Sequence, residues 1–209
     1  MIGIMGGTFD PIHYGHLQIA EAALEQFDLK VVHFIPTYQS ALKSSSLVSA
    51  DQRAKWVKQA IKNKPYFVFD GRELYREGRS YTVDTLTSLS QEFPDESLLF
   101  IMGVDAFSQF ELWKGWQDIL KLAHLLICNR PGSVFEKPKW SKPYWCADPQ
   151  SLALKKSGYL CFLALTATDI SSTMIRTKVA NKQSIQGLLP DVVYQEIIEQ
   201  QIYLPPKRS

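Results

Sequence analysis

Short apolar runs alternate with amphipathic stretches along most of this chain, and few architectures accept that order. Met1–Met5, Val31–Ile35, Tyr66–Phe69, Leu98–Met102 and Leu125–Cys128 are each rich in apolar residues and each stopped by a glycine, a proline or a polar residue, as buried strands are. Between the first two, Leu17, Ala20, Leu24 and Phe27 recur at helical spacing. Ala54, Val57 and Ile61 do the same behind Ser49 or Asp51 as caps, and Thr82–Gln91 and Trp116–Leu122 read as further helices. Strands alternating with helices predict an α/β domain built on a parallel sheet. Ligands of such a sheet sit outside the carboxyl ends of its strands, so the loops after Met5, Ile35, Met102 and Cys128 are expected to gather around one site.

The pattern fails between Arg130 and Ser157, where Pro131, Pro138, Pro143 and Pro149 interrupt any helix. We expect an irregular insertion over 131–157 that packs through Trp140 and Trp145. Tyr159–Ala164 returns as a strand, a helix starts at about Ser171, and a last helix lies near Asp191–Gln200. The chain is read as one domain over 1–209, with a small C-terminal helical subdomain over 168–209.

Composition narrows the function classes. With 23 Lys and Arg against 21 Asp and Glu, the 209 residues carry a formal charge of +2. A protein that grips nucleic acid through phosphate neutralisation shows a basic excess or stripe, and this chain has only a small basic cluster at its last residues. Any polyanion it handles is expected to be small. Cys128, Cys146 and Cys161 are odd in number and lack a CxxC pair, which suits a reducing cytoplasm and indicates neither a disulfide framework nor a zinc knuckle. No apolar run reaches membrane-spanning length, and Gly and Asp enter too early for a secretory signal.

Three of the four histidines, His13, His16 and His33, crowd into the first 33 residues. Two of them belong to Gly6-Gly7-Thr8-Phe9-Asp10-Pro11-Ile12-His13-Tyr14-Gly15-His16. A glycine pair after a strand lets backbone approach a ligand closely. The free amides of the following helix start suit a phosphate, and imidazoles three residues apart leave one side of a helical turn. Surface capping histidines or a zinc pair are the alternatives, the latter without any further ligand cluster. Neither a Gly-x-Gly-x-x-Gly fingerprint nor a P-loop is present. A second helix start, Asp169-Ile170-Ser171-Ser172-Thr173-Met174-Ile175-Arg176, supplies hydroxyls and a forked cation. Two such starts, each following a strand of one sheet, are best explained by a shared polyphosphate.

These two segments resemble the ATP signatures of the HxGH nucleotidyltransferase superfamily. Ser80-Tyr81-Thr82-Val83-Asp84-Thr85-Leu86, Gly103-Val104-Asp105, Trp113, Arg130-Pro131-Gly132 and the overall length narrow the likeness to the bacterial nicotinate-nucleotide adenylyltransferases. The resemblance implies a Rossmann-like nucleotidyltransferase fold. It also implies transfer of AMP from ATP to nicotinate mononucleotide in NAD biosynthesis, with release of pyrophosphate and with Mg²⁺ carried by ATP. His16 and His13 would be the catalytic pair. Gly7, Thr8 and Phe9 would lie with them against the phosphates of ATP, and Ser172, Thr173 and Arg176 would hold the outer phosphates. Lys43, Thr82, Asp105, Trp113 and Arg130 would serve the mononucleotide, with Trp116 an alternative stacking residue. No protein-held metal, nucleic acid or membrane is implied, and a homo-oligomer is compatible with the chain.

One departure stands out: where the family carries Pro-Pro-His-Lys/Arg, this chain has Ser40-Ala41-Leu42-Lys43. The cation survives while the rigid prolines and the histidine do not. Other HxGH enzymes, such as phosphopantetheine adenylyltransferase or a cytidylyltransferase, fit the Tyr81-Thr82 segment and the length less well. A non-catalytic nucleotide sensor would be expected to lack His16, Arg176 or Lys43, and all three are present.

Overall fold

The alternation read from the sequence folds, in a computed structural model that describes residues 1–39, 46–76, 78–129, 136–146, 148–164 and 170–205, into six strands of one sheet. They are β1 (Ile2–Gly7), β2 (Val31–Pro36), β3 (Phe67–Phe69), β4 (Leu98–Gly103), β5 (His124–Asn129) and β6 (Leu160–Ala164). Their order is β3-β2-β1-β4-β5-β6 and every pairing is parallel. The helices are α1 (Tyr14–Gln26), α2 (Ala50–Ile61), α3 (Thr82–Glu92), α4 (Val104–Phe107), α5 (Trp116–Leu122), α6 (Ser172–Ala180) and α7 (Asp191–Glu199).

Both faces of the sheet are covered, and the two-residue period of a strand decides which side chain meets which layer. Leu99 and Ile101 of β4 face the core shared with α1, α2, α6 and α7, while Leu98, Phe100 and Met102 face the core under α3, α4 and α5. The C-terminal helices belong to the first core through Ile175, Val179, Val193 and Ile197. His33, within β2, is buried with Nδ1 3.3 Å from Asp70 Oδ2, an internal contact remote from the loop of the other two histidines.

The strand order reverses between β1 and β4, because β1 leads outward to β2 and the chain returns to β4 on its other side. Loops leaving neighbouring strands there go to opposite faces and open a crevice. Gly6 and Gly7 stand at one lip and Gly103 at the other.

The stretch after β5 has more order than its prolines suggest. Two 3₁₀ turns, Lys139–Tyr144 and Pro149–Leu154, flank a parallel bridge from Trp145 to Leu160 on the edge strand β6. Trp145 Nε1 donates to Ser141 Oγ at 2.8 Å, and Trp140 packs on Phe107, Phe110 and Trp116. Among the described residues no helix is long and apolar enough to cross a membrane.

Candidate active site

The crevice is an open cleft of about 1520 Å³. One wall begins where β1 ends. The chain turns through Thr8–Ile12, with Phe9 in a left-handed conformation (φ 50°), and enters α1 with His13 as its extended N-cap residue. His16 is therefore at the third helical position. The His13 amide donates to His16 Nδ1 at 3.3 Å, and the two rings stack with centroids 3.7 Å apart. Because Nδ1 is used as an acceptor, the neutral ring carries its proton on Nε2. The Phe9 ring meets His16 edge-on at 5.1 Å and limits its rotation.

Gly15 has a steric reason to be glycine. A Cβ there would lie 3.0 Å from His13 Nδ1 and 3.2 Å from the carbonyl oxygen of Ile170, so α1 and the lead into α6 could not approach as they do. That approach joins the two sequence signatures. Ser171 caps α6 by accepting from the Met174 amide at 3.1 Å, Ser172 Oγ donates to the Pro11 carbonyl at 2.9 Å, and Arg176 Nη1 donates to the Asp10 carbonyl at 2.7 Å. The Ser172 hydroxyl proton is thus spent on the first loop, and what this residue presents outward is the backbone amide of a helix first turn. Arg176 Nη2 is 3.2 Å from Thr173 Oγ1, which leaves further donors of the guanidinium for a ligand.

The other wall carries α3, whose N-cap residue Tyr81 makes no side-chain cap bond, so the first-turn amides at Thr82 and Val83 have neither an intrahelical acceptor nor a capping side chain. Trp113 lines the cleft, supported by Phe100 at 6.1 Å and Phe110 at 5.6 Å, and its buried Nε1 has no hydrogen-bond partner among the described residues. Trp116 is not part of the lining and packs instead against Trp140 at 4.8 Å. Asp105 sits exposed on the rim after Gly103. Gly7, Thr8, Phe9, His13, His16, Thr82, Asp105, Trp113, Ser172, Thr173 and Arg176 all border this cleft. Lys43 and Arg130 lie outside the described residues.

Sequence reasoning missed several participants. Arg53 is only 1% exposed and points from α2 into the backs of the loops. It donates to the carbonyls of Thr8 (2.5 Å), Thr37 (2.7 Å), Tyr38 (3.1 Å) and Val48 (3.4 Å). A signal existed, since Arg53 shares helical spacing with Trp56, Val57 and Ile61 and so lies on the buried face. Asp10 collects Ser46 Oγ at 2.8 Å, the Leu47 amide at 3.2 Å and Tyr203 Oη at 2.5 Å. Glu73 also borders the cleft, where burial holds its carboxyl above the usual range despite a 2.7 Å hydrogen bond from Thr85. Lys114 stands 4.3 Å above the Tyr81 ring on the same wall.

Residues 4–178 match the family described as cytidylyltransferase-like. The chain is 40% identical over 207 residues to a protein of Marinomonas sp. named probable nicotinate-nucleotide adenylyltransferase, covering 97% of this chain and 94% of that one. A protein of the same name from Yersinia enterocolitica is 37% identical over 209 residues, covering 97% and 95%. The fold matches that of a solved structure, the Plasmodium falciparum nicotinic acid mononucleotide adenylyltransferase complexed with NaAD, at a TM-score of 0.75 and 18% identity over 97% of this chain and 96% of that chain. With the relatives aligned along nearly their whole length and the nucleotidyltransferase sheet in place, the chain belongs to the nicotinate-nucleotide adenylyltransferase family of nucleotidyltransferases.

Proposed function

We propose that the cleft transfers the adenylyl group of ATP to the phosphate of nicotinate mononucleotide, giving nicotinate adenine dinucleotide and pyrophosphate. The observation that carries this reading is the placement of the helix starts. Those of α1 and α6 are joined by the Ser172–Pro11 and Arg176–Asp10 hydrogen bonds on one side of the cleft, and α3, with no capping side chain, stands beside Trp113 on the other. The first pair suits a polyphosphate; the third start suits a carboxylate attached to a flat ring.

The attacking group is already an anionic phosphate oxygen, so no side-chain nucleophile and no strong base is needed. That oxygen forms a bond to the α-phosphorus as the bond from that phosphorus to the pyrophosphate oxygen breaks, and the electron pair leaves on pyrophosphate. The work left to the protein is to hold two repelling anions in line and to stabilise the charge that develops. His16, donating from Nε2, is assigned to the α-phosphate, with His13 beside it. The loop at Gly7, Thr8 and Phe9 and the residues Ser172, Thr173 and Arg176 are assigned to the rest of the triphosphate, Ser172 through its amide. Thr82, Asp105 and Trp113 are assigned to the mononucleotide. Lys43 and Arg130 are kept as further cations for it from the sequence.

Mg²⁺ fits this site as an ion carried by the triphosphate. Among the described residues no three His, Cys, Asp or Glu side chains stand together as a metal set, and both oxygens of Asp10 accept from protein donors. Such an ion would be held by phosphate oxygens and water and would neutralise charge on the leaving group.

The test is pyrophosphate release from ATP and Mg²⁺ with each mononucleotide in turn. Losing one or two charge-assisted hydrogen bonds to the carboxylate, at about 1.5–3 kcal/mol each, corresponds to roughly 10- to 10⁴-fold in kcat/KM in favour of the acid over the amide. Equal values for the two would contradict the carboxylate site, and no release with either would remove the reading. In the same assay Trp113→Leu should raise KM for the mononucleotide by about tenfold, within the usual worth of one stacked ring, and leave KM for ATP within about twofold. A parallel rise in both constants would instead mark Trp113 as a general packing residue.

A further inference from the structure

The last described turn of the chain is bent in a way that needs a reason. After α7, Gln201 takes the left-handed conformation common just past a helix end (φ 55°), with the Ile202 amide donating to the Ile197 carbonyl at 3.0 Å, and two residues on Tyr203, which is not glycine either, takes it again (φ 70°). Away from a helix cap, a bulky residue adopts that conformation uncommonly. Here the result is that Tyr203 turns inward across the first core and places its hydroxyl 2.5 Å from Asp10 Oδ1, a contact between residues 193 positions apart.

Asp10 is where the loop's restraints converge. It is 7% exposed, its other carboxylate oxygen accepts from Ser46 Oγ and the Leu47 amide, and its backbone carbonyl is the anchor of Arg176. Arg53, bonded to the Thr8 carbonyl, also lies within electrostatic reach of the Asp10 carboxylate. Burial, and then the neighbouring carboxylate, push the Tyr203 phenol upward, which keeps its proton available for donation. The tail is itself fastened upstream, since Glu196 of α7 accepts from Lys55 Nζ at 2.5 Å, Gln52 Nε2 at 2.6 Å and Trp56 Nε1 at 2.8 Å, all on α2.

We propose that Tyr203 is a positioning residue for the nucleotide: its hydroxyl fixes the Asp10 carboxylate, and through Asp10 it holds the loop from Thr8 to His13 and the Arg176 guanidinium in register for the triphosphate. The proposal rests on reading the cleft as an adenylyltransferase site. It assigns to the C-terminal turn a part in binding ATP that its distance along the chain conceals.

The experiment compares wild type with Tyr203→Phe, which removes the hydroxyl and keeps the ring. Calorimetric titration with ATP alone and steady-state pyrophosphate release are measured together with thermal melting. The expected result is an approximately tenfold weaker Kd and higher KM for ATP, with KM for the mononucleotide changed by less than about threefold. The double variant Asp10→Asn/Tyr203→Phe should bind ATP no more weakly than Asp10→Asn alone, because the hydroxyl acts only through that carboxylate. A Tyr203→Phe protein that melts earlier but keeps the wild-type Kd and KM for ATP would overturn the proposal, as would additive losses in the double variant. Should wild type release no pyrophosphate with either mononucleotide, the adenylyltransferase reading fails, while the ATP titrations still decide the role of Tyr203.

Discussion

Replacing His16 by alanine should lower kcat by about 10²–10³-fold, the usual cost of deleting one preorganised donor at developing charge. Affinity for ATP should stay within a few-fold of wild type. The split follows from geometry. The bond from the His13 amide to His16 Nδ1, at 3.3 Å, sets the tautomer, and the Phe9 edge at 5.1 Å holds the ring. The donor at Nε2 is therefore in place before substrate arrives and is called on most when charge grows on the α-phosphate and the leaving oxygen. The other contacts assigned to the triphosphate, from the loop amides and from Arg176, remain in the alanine variant. Single-turnover and steady-state pyrophosphate release, with ATP titrated separately, measure the two effects. Near-normal turnover at saturating substrate would end the assignment of His16.

Arg53→Met should cost about 3–5 kcal/mol of folding stability, read from urea unfolding, although the residue lies behind the cleft. Methionine matches much of the aliphatic stem but carries none of the donors. The carbonyls of Thr8, Thr37, Tyr38 and Val48 then lose the partner they share, the bond to Val48 being buried and the other three part-buried, and each acceptor left unsatisfied away from water costs about 1–3 kcal/mol. The loss of a positive charge adds to this, because Asp10 is left with less compensation. Arg53→Lys should recover only part of the stability, since one ammonium cannot reach acceptors spread over three separate stretches of chain. A loss below about 1 kcal/mol for the methionine variant would mean that water replaces the guanidinium at these carbonyls.

Local features of the sequence carry most of the architecture. The runs at Met1–Met5, Val31–Ile35, Leu98–Met102 and Leu125–Cys128 became central strands within a residue or two of their expected ends, because burial on both faces leaves a continuous apolar signature that needs no knowledge of partners. The start of α1 was legible for the same reason. Glycine after a strand and a histidine pair at helical spacing are properties of a single turn of backbone. The stretch over 131–157 was less legible, because 3₁₀ turns and a one-residue bridge have no period, and their order depends on where Trp140 and Trp145 find a surface.

Side-chain roles divide in the same way. Spacing placed Ser172 and Arg176 at a helix start but did not reveal that both donate to carbonyls of the β1–α1 loop, more than 150 residues earlier in the chain. Trp113 and Trp116 look interchangeable as stacking residues in the sequence; in the folded protein one borders the cleft and the other packs against Trp140.

The sequence by itself determined the parallel sheet, the helices that alternate with its strands and the two phosphate-suited helix starts, since period, glycine and capping are written within a few residues of one another. Only the tertiary structure decided what holds those starts in register: the Arg53 cradle, the Asp10 junction and the inward turn to Tyr203. Each of these is a hydrogen-bonded contact between groups far apart in the chain, and such a contact leaves no local pattern. It exists only once burial has removed water and made a partner obligatory.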